Sequence, residues 1–257
     1  MSTPKKIAVA GATGRVGRHV VDILAAEGNE VAEISRSRGV DVITGEGLAE
    51  ALVGTEAIVD AATGPSPEEQ AATEFFTTAA RNLQEAGQQA GVERIVVVSI
   101  IGSDRFSGGY GAAKVAHEQA TLSGAIPARV LRAAQFHEFV AQLMEWGARG
   151  EVTYVPKMRT QLVAARTVAE ALADLATASN GAASVQPPIL EIAGPREERL
   201  FEMATLLAAC RGDAARVEEA NDPADPVQAV YASGALLPGP GATLAGPTFE
   251  AWLDEAA

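Results

Sequence analysis

The stretch Lys5–Gly17, reading K-K-I-A-V-A-G-A-T-G-R-V-G, limits what this chain can fold into more than any other. Ile7–Ala10 is a short apolar run of the kind that forms a buried strand. It leads into Gly11, Gly14 and Gly17, spaced G-x-x-G-x-x-G. Behind them Val16, Val20, Ile23 and Leu24 recur at helical spacing, and Gly28 is a natural stop. The glycines therefore fall at a strand-to-helix turn. There, bare backbone can approach a pyrophosphate, and the helix N-terminus offers free N–H groups and partial positive charge. Gly11 suits the tight turn, Gly14 admits phosphates, and Gly17 lets the helix lie close on the strand. The segment, with Thr13, Arg15 and Val16 inside it, is expected to cradle a dinucleotide.

Strand-like and helix-like runs alternate through the rest of the chain. Further strands are expected at Glu30–Ile34, Asp41–Ile43, Ala57–Asp60, Arg94–Ser99, Ala128–Arg132 and Ile189–Ile192. Ser66 reads as an N-cap, with Pro67 opening a helix to about Ala86. This alternation predicts an α/β fold with a doubly wound parallel sheet and ligand at the carboxyl ends of the strands. Gly11, Ser35, Ala61 and Ser99 should then share one rim. Farther on, short strands are expected at Val152–Val155 and Gln161–Val163. Thr167 should cap a helix to about Thr177, and further helices are expected at Leu200–Cys210 and Thr248–Ala256. Asp222–Pro226 and Leu236–Pro247 read as loops. No linker is long enough to separate autonomous domains, so residues 1–257 are expected to form one dinucleotide-binding domain. Residues 133–257 would be a small C-terminal substrate lobe supplying most of a pocket.

Composition narrows the partners. A net charge of −13 argues against a general nucleic-acid binder and weakly against anionic membranes. A single cysteine, Cys210, rules out an intramolecular disulfide and a cysteine-built metal site. It continues the apolar run from Leu206 and reads as a core residue. No His/Asp/Glu spacing suggests a metal. No apolar run reaches the roughly 18 residues of a membrane span, and no charged-then-apolar signal opens the chain. A cytoplasmic monomer or homodimer acting on a small-molecule substrate is the expectation.

The end of the second expected strand bears on the cofactor. No acidic residue stands at positions 35 to 38 to hold a ribose 2′-hydroxyl; Ser35, Arg36, Ser37 and Arg38 do. A guanidinium can grip a 2′-phosphate through two hydrogen bonds, so NADP(H) is expected over NAD(H), with Arg36 foremost and Arg15 a second candidate. Small residues at Ala61, Ala62 and Thr63 would let ribose and phosphates lie against backbone.

The form G-A-T-G-R-V-G resembles the extended and atypical short-chain dehydrogenase/reductases, especially the NmrA-like NAD(P)-binding group, over roughly Lys5–Gly212. The resemblance implies a Rossmann fold. It also gives meaning to S-I-I-G-S-D-R-F-S-G-G-Y-G-A-A-K after the Arg94–Ser99 strand, where Tyr110 and Lys114 match the family's tyrosine and lysine. Four apart, they share one helix face if a helix starts near Gly109. By resemblance Tyr110 would exchange a proton with the substrate oxygen. Lys114 would bond the nicotinamide ribose and lower the tyrosine pKa. The family's serine or threonine lies just past the strand, where this chain has Ile100 and Ile101; Ser99 is the nearest hydroxyl and Ser103 the alternative. Where relatives carry arginine–proline–glycine–x–phenylalanine, this chain has Ala133 in place of proline, which implies Gln135 and Phe136 as cofactor-edge residues. His137 reads either as a substrate contact or as structural. His19 and His117 fall within helix patterns and receive no role. Asp41 resembles the aspartate that meets adenine. The implied activity is hydride transfer between NADP(H) and a small carbonyl, enone or quinone. The alternatives are an NADP(H)-binding redox sensor and a nucleotide-sugar-type epimerase or dehydratase.

Overall fold

The computed structural model describes residues 4–178, 187–213, 216–220 and 226–256. The chain forms two compact units. The described parts of the first lie within Met1–Ser99, Ser107–Arg132 and Val168–Leu190; those of the second lie within Ile100–Phe106, Ala133–Thr167 and Glu191–Ala257.

The first unit is built on strands β1 (Lys6–Ala10), β2 (Glu30–Ile34), β3 (Ala57–Asp60), β4 (Arg94–Ile100) and β5 (Ala128–Ala133), in the order β5-β4-β3-β1-β2. β1 pairs in parallel with β2 and with β3, and β3 with β4. The register sets Ala10 beside both Ile34 and Asp60, and Asp60 beside Val97, so these strands end on one rim as expected. Their residues are apolar on both faces because both faces are covered: Ile7–Ala10, Ala57–Val59 and Ile95–Val97 are buried. The chain leaves β1 for β2 on one side and β3 on the other, which opens a crevice where Gly11 and Ala61 follow their strands.

Helices α1 (Gly17–Ala26), α2 (Leu48–Ala51), α3 (Glu69–Ala90) and α4 (Gly109–Leu122) connect these strands. α3 begins later and ends later than its sequence pattern suggested. Ser66 does not cap it; its hydroxyl accepts from Glu68 N–H at 3.2 Å in a local turn. At the far end the helix runs to Ala90, passing through Gly87. A Cβ there would meet Ile126 Cδ1 at 2.8 Å and Ile58 Cδ1 at 3.1 Å, so the glycine serves close packing rather than a stop. Asp41–Ile43 is not a strand. Asp41 Oδ1 accepts from Ile43 N–H at 2.7 Å, and its carbonyl accepts from Gly45 N–H at 2.9 Å, which folds the segment into a turn.

The second unit packs Val140, Met144, Val155, Leu162, Leu200, Met203 and Phe249 into its own core. It holds the helix His137–Gly147 and a three-stranded sheet of Ala148–Arg149, Val152–Pro156 and Arg216–Ala220. The strand expected at Gln161–Val163 is instead Arg159–Thr160, paired with Glu198–Arg199; Val163 makes a lone bridge to Phe136. Thr167 is no cap either. The helix there starts at Ala165, whose N–H is held by the Glu138 carboxylate at 3.2 and 3.3 Å. Cys210 is exposed rather than buried. The buried stripe of helix Leu200–Arg211 runs through Leu200, Met203, Ala204, Leu207 and Ala208, and at 100° per residue Cys210 falls off it. Of the expected loop Asp222–Pro226, residues 222–225 lie outside the described residues, and Pro226 opens a helix to Ser233. The closing helix is Phe249–Ala256, with Thr248 Oγ1 accepting from Ala251 N–H at 3.3 Å. Among the described residues no helix is long and apolar enough to cross a membrane.

Candidate active site

The glycine turn is tied down on both sides. Gly11 takes φ +73°, and its N–H and that of Ala12 both reach Ile34 O, at 3.0 and 3.4 Å. A Cβ on Gly11 would stand 2.6 Å from Ala61 O, and one on Gly17 would stand 2.1 Å from Gly11 O. Both positions are therefore closed to any other residue by backbone, which cannot give way. Gly14 differs. A Cβ there would meet only Gly11 O, at 3.1 Å, and Thr13, Gly14 and Arg15 are exposed while Val16 anchors the turn in the core. No acidic residue stands in the first turn of α1 to offset its partial positive charge. Exposed backbone before an uncompensated helix N-terminus fits a pyrophosphate.

Beside the turn, Ala61 N–H bonds Ala10 O at 3.0 Å and Ala62 N–H bonds Asp60 Oδ1 at 3.0 Å, leaving Thr63 exposed on the loop that follows. Beyond β2, Ser35 and Ser37 hydroxyls lie 3.0 Å apart. Arg38 is already engaged, with Nε and a terminal nitrogen on the Glu33 carboxylate at 3.1 and 3.2 Å. Arg36 is exposed, and its guanidinium has no hydrogen-bond or ion-pair partner among the described residues.

Tyr110 and Lys114 stand a turn apart on α4. That helix begins at Gly109, whose N–H is held by Glu69 Oε2 of α3 at 2.7 Å. Tyr110 is half-buried, edge-on to Phe76 with ring centroids 5.7 Å apart, and burial pushes its hydroxyl pKa up. The expected lowering by Lys114 is not what the surroundings give. Lys114 turns inward and is 5 % exposed. Its Nζ donates to Val98 O at 2.8 Å, lies 3.0 Å from His117 Nδ1, and sits 4.4 Å from the centre of the Phe76 ring. His117 Nε2 lies 2.9 Å from Asp60 Oδ2, and Phe76 stacks on the imidazole at 4.6 Å and 16°. Burial brings Lys114 down to about 8, against the pull of Asp60 and Glu118. Burial also lowers His117, as does the lysine charge. Burial works to raise Asp60, but the His117 hydrogen bond and charge and the Ala62 N–H bring it below its usual range. These directions favour a carboxylate, a neutral imidazole and an ammonium at neutral pH.

Asp60 and His117 carried no role in the sequence reading. The signals were present: an acid closing an otherwise apolar buried strand, and a histidine one turn after the lysine. Next to them Glu118, 3 % exposed, takes Arg132 through two hydrogen bonds of 2.9 and 2.7 Å. Ser99 is buried, and its hydroxyl finds no partner among the described residues. Ser103 is also buried and belongs to the second unit.

Gln135 and Phe136 are in the second unit too. Gln135 Oε1 accepts from Thr160 Oγ1 at 2.6 Å. His137 is fully buried against Phe249 and Trp252, at ring distances of 5.4 and 5.3 Å, with neither ring nitrogen hydrogen-bonded among the described residues. An open cleft of about 680 Å³ runs along Arg196, Glu198, Phe201, Met203 and Glu250, and none of the residues read as catalytic or cofactor-binding lines it. No group of three or more His, Cys, Asp or Glu among the described residues is arranged to hold a metal ion.

Residues 11–134 match the family model described as NAD(P)H-binding. A search of curated proteins gives no match. Among solved structures, the chain is similar to MoeE5 in complex with UDP-glucose and NAD, at 19% identity and TM-score 0.70, covering 98% of this chain and 99% of that one. It is similar to UDP-N-acetylglucosamine 4-epimerase from Bacillus cereus at 19% identity and TM-score 0.67, covering 98% and 94%. It is also similar to a GDP-mannoheptose C4 reductase from Campylobacter jejuni with NADP bound, at 14% identity and TM-score 0.65, covering 86% and 88%. The sheet order and the glycine turn described above are thus those of a Rossmann-type NAD(P)-binding fold.

Proposed function

We propose that this chain, whose residues 11–134 match an NAD(P)H-binding family model, is an NADP(H)-dependent oxidoreductase of the short-chain dehydrogenase/reductase type acting on a small carbonyl, enone or quinone. The observation that carries the reading is the Tyr110–Lys114 pair, set on one face of α4 in the same unit as the glycine turn. Bound there, the nicotinamide would supply or accept hydride. The chain's own residues would manage the proton. Tyr110, kept as a neutral phenol by burial, would hand its proton to the substrate oxygen or take it back. Lys114 would hold the nicotinamide ribose. The unpartnered Ser99 hydroxyl would hold the reacting oxygen, since a buried hydroxyl left without a partner costs about 1–3 kcal/mol.

Arg36 supports NADP(H) over NAD(H), being the exposed guanidinium beyond β2 that Glu33 has not taken. A second reading has its own support: relatives of like fold include an epimerase and a protein complexed with UDP-glucose, so a nucleotide-sugar epimerase is the competitor.

The deciding experiment follows NADPH absorbance across a panel of carbonyls, quinones and nucleotide sugars, with wild type and Tyr110→Phe side by side. Oxidation of NADPH by a carbonyl or quinone, lost in Tyr110→Phe, is the expected result. Interconversion of nucleotide sugars without net NADPH consumption would favour the epimerase. Tight NADPH binding with no turnover of anything in the panel would favour a cofactor sensor.

A further inference from the structure

The buried Asp60–His117–Lys114 chain has more order than an ion pair needs. Lys114 brings a charge into a site where its side chain is almost wholly covered, so its N–H groups require acceptors. Val98 O of β4 is one and His117 Nδ1 is the other. A neutral imidazole has one donor and one acceptor, and which nitrogen plays which part depends on its other neighbour. Here that neighbour is Asp60 Oδ2, and a carboxylate can only accept. Asp60 is itself held, because Oδ1 takes Ala62 N–H. The Phe76 ring fixes the imidazole plane by stacking and faces the ammonium.

We propose that Asp60 and His117 are positioning residues for Lys114: Asp60 fixes His117 in the Nε2–H tautomer, which reserves Nδ1 as the acceptor that holds the lysine ammonium in place. The couple ties the ends of β3 and β4 together through α4. The charged and polar groups facing Lys114 are Asp60 from β3, Val98 O from β4, and His117 and Glu118 from α4 itself, with Arg132 of β5 holding Glu118; the Phe76 ring of α3 lies 4.4 Å from its Nζ. Asp60 and Glu118 both favour the ammonium. That Lys114 acts on a cofactor rests on the reading above; that His117 and Asp60 set its state does not.

Asp60→Asn is the sharpest perturbation. The Ala62 N–H still requires the side-chain oxygen, so the amide NH₂ faces His117 Nε2. The imidazole must then carry its proton on Nδ1, opposite a lysine that also donates. The test uses full-length protein labelled with ¹⁵N in histidine rings and lysine side chains. In wild type at pH 7, His117 should show a protonated Nε2 and a bare Nδ1, and Asp60→Asn should exchange the two. The Lys114 Nζ titration should move to lower pH in Asp60→Asn and in His117→Leu. It should return towards wild type in His117→Asn, whose amide oxygen takes the place of Nδ1. A wild-type His117 protonated at Nδ1, or a Lys114 titration unmoved by Asp60→Asn, would overturn the proposal. NADPH affinity against pH, followed by nicotinamide fluorescence, separates the two claims. The expected tautomers with no NADPH binding in wild type would sink the cofactor reading and leave the positioning couple standing.

Discussion

Single substitutions at four residues of the site should have separable effects. Tyr110→Phe removes only a hydroxyl from a ring that packs on Phe76, so NADPH affinity and folding should stay close to wild type. Turnover should fall by about 10²–10⁴, the usual worth of positioned proton transfer, as single-turnover kinetics would show. Gly14 and Gly17 should separate along different lines. Gly14→Val sets a Cβ 3.1 Å from Gly11 O, tight but far short of the 2.1 Å clash at Gly17, so the melting temperature should fall less than in Gly17→Ala while calorimetry shows dinucleotide binding lost. Gly17→Ala forces a methyl against Gly11 O and should lower stability by about 1–3 kcal/mol or prevent folding, as urea unfolding would show. Arg36→Ala should weaken NADPH by roughly ten- to hundredfold and leave NADH nearly unchanged, from the loss of one charge-assisted contact of about 1.5–3 kcal/mol. Equal weakening of both cofactors would mean that the arginine does not read the 2′-phosphate.

At the scale of elements, what was legible in the sequence was whatever repeats. The runs of β1, β2, β3 and β4, and the amphipathic α1, show their period in a few residues, and the structure puts them where the pattern does. Misreadings cluster where one residue has two physical uses. The helix expected to end at about Ala86 runs on through Gly87, a packing contact; Thr167 looked like a cap, but Glu138, 27 residues before Ala165, supplies it. Asp60 and His117 were overlooked for a related reason. A lone polar residue in an apolar strand or helix has no meaning until folding brings its partner, and theirs is 57 positions away. The start of α4 depends on such a distant group as well, since Glu69 caps Gly109. Glu69→Ala should cost about 0.5–2 kcal/mol in urea unfolding. Because Tyr110 is the next residue, its amide should also lose hydrogen-exchange protection, while Glu69→Gln should retain most of it.

For the molecule as a whole, acid is where stability should fail, and His137 has a share in that. Burial puts its folded pKa at about 4, below the ordinary 6.5, so between these values the unfolded chain binds a proton that the folded one refuses. The stability at stake is fully present above pH 6.5 and drains as pH falls towards 4, by up to about 1.4 kcal/mol per unit. His137→Phe should flatten that limb of the curve and raise stability at pH 7 by about 1–3 kcal/mol, because two buried nitrogens without partners give way to carbon against Phe249 and Trp252. Denaturant midpoints of the two proteins measured from pH 4.5 to 7.5 would show the difference. Cys210 has a consequence of a more practical kind. The sequence has one thiol and the fold leaves it in the open, so a disulfide-exchange dye should count one equivalent per chain before denaturation and the same one after. A fluorophore placed there reports on a single defined point of the protein, and a stock kept without reductant should drift into covalently joined pairs.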